Sequence, residues 1–298
     1  MRRFPGKILL FGEHIILQGA TALAVPAWNY CGQWAFSDDP AVRSGCEQLR
    51  AVAQLLRDDV PLRLDAFQRD VEQYLFFDSN IPQGYGMGSS GALTAALYHR
   101  YGTAPLADDP GALQQILGNI ESAFHGKSSG IDPLTSYLGQ ALRIQHRTEV
   151  TPLDTFSEPE GITTFLIDTR QPRTTGTLVQ WFMHQCEHPD WAAQLHHRVL
   201  PTHENMVAHW LAGHTESFFT ALHEISQWQR LTLQPMLPAQ PALLDWWDQA
   251  LAGDTTRLKI CGAGGGGFVL GFTKNKNAVL NTAQNIGFPV IFPFEQIA

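Results

Sequence analysis

Ile81-Pro82-Gln83-Gly84-Tyr85-Gly86-Met87-Gly88-Ser89-Ser90-Gly91-Ala92-Leu93-Thr94-Ala95-Ala96-Leu97 reads as a glycine-rich loop running into a helix. Gly84, Gly86 and Gly88 permit positive φ and a close backbone approach to a ligand, whereas Ser89, Ser90 and the Ala/Leu-rich run favour helix. A helix N-terminus carries roughly half a positive charge and several N–H groups without intrahelical partners, which suits an anion. The stretch is thus either a phosphate cradle or a flexible turn before an ordinary buried helix. It is not a P-loop, because no Gly-Lys-Ser/Thr closes it. Nor is it a dinucleotide fingerprint, because Pro82 and Gln83 interrupt the approach to the glycines. A protein-kinase glycine loop lies between two strands, and this one leads into a helix.

Upstream, residues 7–11 form an apolar run that breaks at Gly12, and a second apolar trio at 15–17 follows Glu13 and His14. The pattern predicts strand, turn, strand. Lys7, Glu13 and His14 are charged or polar beside buried-looking strands, so they are candidates for a site at the strand ends. Residues 22–26 and 30–36 read as two further strands, and 43–57 as a helix.

Downstream, residues 111–124 carry apolar positions at helical spacing. Glu121 near the end of that helix opposes the helix dipole and calls for a cation, either a side chain or a metal. The following His125-Gly126-Lys127-Ser128-Ser129-Gly130-Ile131-Asp132-Pro133 is a tight polar turn. Asp132, before a proline, is expected in extended backbone, either as an Asx-type turn residue or as a catalytic carboxylate. Residues 142–145 and 149–153 read as paired strands, and the polar patch 154–161 is the expected domain boundary, dividing the chain into 1–157 and 158–298.

Beyond it, a strand at 162–167 ends in Asp168-Thr169-Arg170-Gln171-Pro172-Arg173-Thr174-Thr175-Gly176, a hydroxyl- and guanidinium-rich loop that suits an anionic substrate. Helical patterns cover 177–185, 191–212, 215–229 and 243–251. Five glycines in the six residues 262–267 precede a strand. So much lost backbone entropy is explained by a close approach to the nucleotide-side loop.

Composition sets outer limits. The 298 residues, 44% of them hydrophobic, can bury a large core, and a net charge of −8 with no basic run argues against a nucleic-acid partner. The absence of a signal-type N-terminus and of a long apolar run leads us to expect a cytoplasmic protein that does not enter a membrane. Cys31, Cys46, Cys186 and Cys261 lack zinc or disulfide spacing and read as thiols, and His196, His197 and His203 read as solvated rather than metal-binding.

Three motifs stand in one family's order and spacing: Pro5 through His14, Pro82 through Ala92, and Lys259 through Phe268. With Glu121 through Asp132 and Asp168 through Thr175 between them, the chain resembles the GHMP small-molecule kinases over nearly its whole length. The resemblance implies an α+β architecture, with a ribosomal-protein-S5-like N-terminal domain binding ATP, a ferredoxin-like C-terminal domain, and the site between them. It further implies ATP and Mg²⁺, a small-molecule acceptor and a possible homodimer. By motif position, Gly84, Tyr85, Gly86, Met87, Gly88, Ser89 and Ser90 would wrap the phosphates with Ser79 nearby, and Ser90 and Glu121 would hold Mg²⁺. Asp132 would serve as base, Lys7 would stabilise the transferring phosphoryl group, and Glu13, His14, Thr175 and Gly264 would face the acceptor. The chain departs from the family with Gly91 in place of alanine, Pro133 in place of a common asparagine and Cys261 in place of threonine or serine.

Overall fold

Strand β1 (Phe4–Phe11) is buried along nearly its whole length and therefore needs cover on both faces. It pairs with β2 (Ala22–Phe36), the spine of a five-stranded antiparallel sheet that also holds β3 (Leu75–Ser79), β4 (Leu142–Gln145) and β5 (Glu149–Pro152). Helices α1 (Arg43–Leu55) and α2 (Leu64–Glu72) pack beside β3; α3 (Ser89–Tyr101), α4 (Pro110–His125) and α5 (Ile131–Leu138) pack on one another, and α3 and α5 also lie against β1. The computed structural model describes residues 2–103, 109–172 and 175–295.

The second sheet is antiparallel in the order β7-β8-β6-β9, from β6 (Thr163–Asp168), β7 (Thr256–Ile260), β8 (Phe268–Thr273) and β9 (Val290–Ile291). Its helices are α6 (Thr175–Gln185), α7 (Pro189–Gln194), α8 (Leu200–Leu211), α9 (Thr215–Thr232), α10 (Pro241–Ala252) and α11 (Lys276–Ile286), with a π-helical turn, Leu195–Val199, joining α7 to α8. Sheets and helices are segregated as in an α+β fold. None of the described helices is long and apolar enough to cross a membrane.

The two halves share one core. Phe11, at the end of β1, is fully buried among Trp210, Phe218 and Phe272, with ring centroids at 5.4, 5.9 and 5.7 Å. Burying a phenylalanine contributes about 1.5–3 kcal/mol, so the residues just after Phe11 are held firmly between the sheets.

A polar clamp reinforces this junction. Thr21 donates its N–H and its hydroxyl to the two carboxylate oxygens of Glu204, each at 2.6 Å, and its carbonyl lies 2.7 Å from Nε2 of His203. The carbonyl can only accept, so Nε2 carries a proton. His203 is buried rather than solvated as the sequence suggested, because the α8 face that carries it is covered by the chain entering β2. Burial lowers its pKa from 6.5 to about 4. The folded state therefore resists a second proton that the unfolded chain takes up below about pH 6.5. Stability from this group is complete above that pH and is lost as the pH falls towards 4, by about 3 kcal/mol in all. Denaturation at pH 7 and 4.5 should show a larger loss for the wild type than for His203→Gln; equal losses would remove His203 from the acid response.

Three local expectations are corrected. The apolar trio after His14 is a 3₁₀ helix, Ile15–Gln18, not a strand. Gly12 and His14 take φ of 99° and 57°, and the N–H groups of Ile15, Ile16 and Leu17 bond back to Glu13, Gly12 and His14, leaving no ladder to join. The two strands expected at 22–26 and 30–36 are one, β2, with an irregularity opposite Pro5 and Gly6. Asp132 is helical rather than extended, because Gly130 at φ 74° turns the chain into α5 and Pro133 falls in the first turn. There a proline costs no hydrogen bond.

Candidate active site

The glycine loop joins β3 to α3, and its glycines take the left-handed backbone that their spacing implied: φ is 77° at Gly84, 73° at Gly86 and 69° at Gly88. Gly88 caps α3, so the first N–H groups of that helix open onto a cleft of about 500 Å³. Leu49, Phe77, Leu93 and Phe124 line its apolar part, and Ser79, Ser89, Ser90 and Asp132 its polar part. A flat apolar group and an attached anion would fit these two parts in turn.

Lys7 reaches the loop's far end from β1. Its N–H donates to Met87 O at 2.7 Å, and its ammonium lies 2.7 Å from Asp132 Oδ1. Lys7 is buried while the Asp132 side chain keeps 32% exposure, so the pair presents its carboxylate to the cleft. A Cβ on Gly88 would sit 3.4 Å from Asp132 Oδ2 and 3.5 Å from Lys7 Cβ, which places the end of the loop directly over the pair.

Two of the sequence departures meet here. A Cβ on Gly91 would lie 2.8 Å from both the Asp132 carbonyl carbon and the Pro133 nitrogen. Glycine in a helix interior costs roughly 0.5–1 kcal/mol relative to alanine. That cost is offset by letting α5 approach α3 closely, which sets the height of Asp132 in the cleft.

Glu121 comes from α4 and is buried. It accepts from Ser90 Oγ at 2.7 Å and from Ser128 Oγ, while burial, followed by the Asp132 charge, raises its pKa against the pull of those two hydroxyls and of His125. The donor set is all oxygen, and a cation would relieve the desolvated carboxylate, so these residues fit a hard divalent ion such as Mg²⁺. The described residues contain no cluster of three or more His, Cys, Asp or Glu placed to hold a metal. Such an ion would therefore take most of its ligands from phosphate and water.

Glu13 lies on the other side of Lys7, buried in an ion pair with Lys259 of β7. Lys259 also donates to Leu10 O at 3.2 Å and Ile260 O at 3.0 Å. Burial outweighs the lysine and raises the Glu13 pKa. The carboxylate is thus engaged by Lys259, so its bearing on an acceptor is through the position of the loop. Nε2 of His14 lies 3.0 Å from Ala263 O, and its ring packs 5.3 Å from Phe182. Gly264 follows at φ 74°, where a Cβ would lie 2.4 Å from Met236 O. Arg173, Thr174 and the side chain of Thr175 lie outside the described residues.

Ser79 closes β3 and accepts the Ile81 N–H at 3.2 Å. Tyr85 differs from its loop neighbours: its ring packs on Phe268 of the second sheet. The approach expected of the second glycine run is real, since a Cβ on Gly267 would lie 3.1 Å from Tyr85 O; the same run also meets Met236 and Gln171. Sequence reasoning assigned no role to Lys259, Ser128 or Asp168. A lysine inside the apolar strand Leu258-Lys259-Ile260 was the available signal, because a buried ammonium requires a partner.

Residues 48–140 match the family model described as GHMP kinases N terminal domain. Over that stretch the chain is similar to the GHMP kinases. Within that class its likeness is to mevalonate kinase. The mevalonate kinase of Bos taurus is 25% identical over 333 aligned residues, covering 88% of this chain and 83% of the relative. The L. major mevalonate kinase, solved in complex with R-mevalonate, superposes with a TM-score of 0.64 at 14% identity, covering 95% of this chain and 90% of the other. The Streptococcus pneumoniae phosphomevalonate kinase, solved with phosphomevalonate and AMPPNP, gives 0.66 at 15% identity, covering 98% of each. The two structural likenesses are of fold.

Proposed function

We propose that this protein transfers the γ-phosphoryl group of ATP to the primary hydroxyl of mevalonate. The observation that carries the reading is the Lys7–Asp132 pair, 2.7 Å apart beneath the last glycine of a loop that opens a helix. Asp132 receives the hydroxyl proton as oxygen attacks phosphorus, and Lys7 stabilises the negative charge that gathers on the transferring group. The cradle for the phosphates is the backbone from Gly84 to Ser90. Glu121 and Ser90 would hold Mg²⁺, which when bound would neutralise phosphate charge. The buried Glu13–Lys259 pair fixes the loop carrying His14, which with Gly264 would border the acceptor.

Mevalonate is favoured by the relatives' names and by the Phe11-Gly12-Glu13-His14 element. Phosphomevalonate is the second reading, supported by an equally good fold match to the phosphomevalonate kinase. The deciding assay is ADP release with MgATP against mevalonate, phosphomevalonate, diphosphomevalonate, galactose and small polyols, with mass spectrometry of the product. A gain of one phosphoryl group on mevalonate alone is the expected result. Turnover of another acceptor overturns the substrate, and ATP binding without turnover points to a ligand sensor.

The metal role has its own test. Glu121→Gln keeps the hydrogen-bonding shape but removes the charge, so it should raise the Mg²⁺ concentration needed for half-maximal activity. An unchanged Mg²⁺ dependence would assign the ion to other ligands.

A further inference from the structure

Tyr85 joins the glycine loop to the opposite half of the molecule. Gln83, Gly84, Gly86, Met87 and Gly88 line the cleft, whereas the Tyr85 ring packs against Phe268 at the start of β8, with centroids 5.0 Å apart and planes at 60°. Gly267, at φ 68°, comes so close that a Cβ there would lie 3.1 Å from Tyr85 O and 3.3 Å from its Cα. Burial, and then the charge of Asp168 at the end of β6, raise the pKa of the Tyr85 hydroxyl.

The surface that Tyr85 meets is internally braced. Gly267 O accepts both the N–H and the hydroxyl of Thr169, at 3.0 and 2.7 Å, and Gly267 N–H donates to Gln171 O at 2.7 Å. Asp168 accepts the Arg170 N–H at 2.7 Å, and Arg170 itself is held at φ 53°. The loop's other end is anchored in its own half, where Met87 O accepts the Lys7 N–H at 2.7 Å.

We propose that Tyr85 is a positioning residue that pins the glycine loop to the second sheet, so that the loop is ordered before a nucleotide arrives. The proposal rests on the reading of the cleft as a nucleotide site. Three positive-φ glycines make a loop with much conformational freedom to lose. A loop fixed at both ends has already lost that freedom on folding, which strengthens ligand binding without adding a ligand contact. The expected gain is that of one well-placed aromatic contact, about 3- to 10-fold in affinity.

The test is calorimetric titration of MgADP into the wild type, Tyr85→Ala, Phe268→Leu and the double variant, with hydrogen exchange of the loop amides in the unliganded proteins. Tyr85→Ala should weaken MgADP by about 3- to 10-fold and speed loop exchange before any ligand is added. Phe268→Leu should then add little on the Tyr85→Ala background, because the ring it met is gone. Wild-type affinity with unchanged exchange would overturn the proposal, and so would effects of the two substitutions that add fully. Lost affinity with unchanged exchange would make Tyr85 a direct ligand and overturn it equally. If the wild type fails to bind MgADP, the nucleotide reading falls, and the exchange comparison alone decides whether Tyr85 pins the loop.

Discussion

An Asp132→Asn variant should turn over at least ~10²-fold more slowly than the wild type while binding MgATP almost as well. Asparagine has nearly the same shape, so the close contacts of this residue with Gly88 and Gly91 survive. What disappears is the proton acceptor and the negative partner of Lys7, 2.7 Å away. Because the interaction acts in the transition state, kcat should fall far more than either KM moves. A near-normal kcat would take Asp132 out of the proton transfer. A thermal midpoint close to the wild-type value would establish that the loss is chemical and not a failure to fold.

The second large effect is on stability. Lys259→Met should destabilise the protein by about 3–5 kcal/mol near neutral pH, the usual consequence of leaving one member of a buried pair without its partner. Glu13 and Lys259 have side-chain exposures of 3% and 1%, so water cannot take the lysine's place. Glu13 would then escape by taking a proton. Its folded pKa is already raised by burial and would rise further without Lys259. For a carboxyl raised in the folded state, the penalty is absent below the unfolded pKa and grows as pH climbs towards the folded one. The variant should therefore lose less stability, relative to wild type, at pH 5 than at pH 8. Adding Glu13→Gln should restore much of the loss, since no charge remains to be buried. Denaturant titrations of the wild type, Lys259→Met and the double variant at both pH values make the measurement; an unaltered Lys259→Met midpoint at pH 8 would mean that the pair contributes nothing.

These experiments address residues of two kinds. Lys7, Asp132, Glu121 and the glycine loop were singled out from residue type and spacing because their chemistry is local or carried by motif. Only glycine takes φ near 70° without strain, so the backbone of the loop at Gly84, Gly86 and Gly88 could be anticipated. The helical spacing in residues 43–57 and 111–124 likewise foretold α1 and α4, because one buried stripe on a helix leaves the same mark wherever it packs. Short segments were less legible. The trio after His14 and the turn into Asp132 each suit two backbones, and the choice fell to Gly12, His14 and Gly130 at positive φ.

What the chain alone determined, then, was its glycine loops, its inventory of charged groups and, through the family resemblance, its α+β character. Which groups meet was decided by the tertiary structure. Lys259 lies 246 residues from Glu13, His203 182 residues from Thr21, and Ser128 on a different turn from Ser90, yet each pair or trio converges. A sequence records that a buried charge or donor requires a partner, because leaving it unmet costs several kcal/mol. It does not record which one, since that depends on the packing of Phe11 between the sheets and on how closely Gly91 lets α5 approach α3.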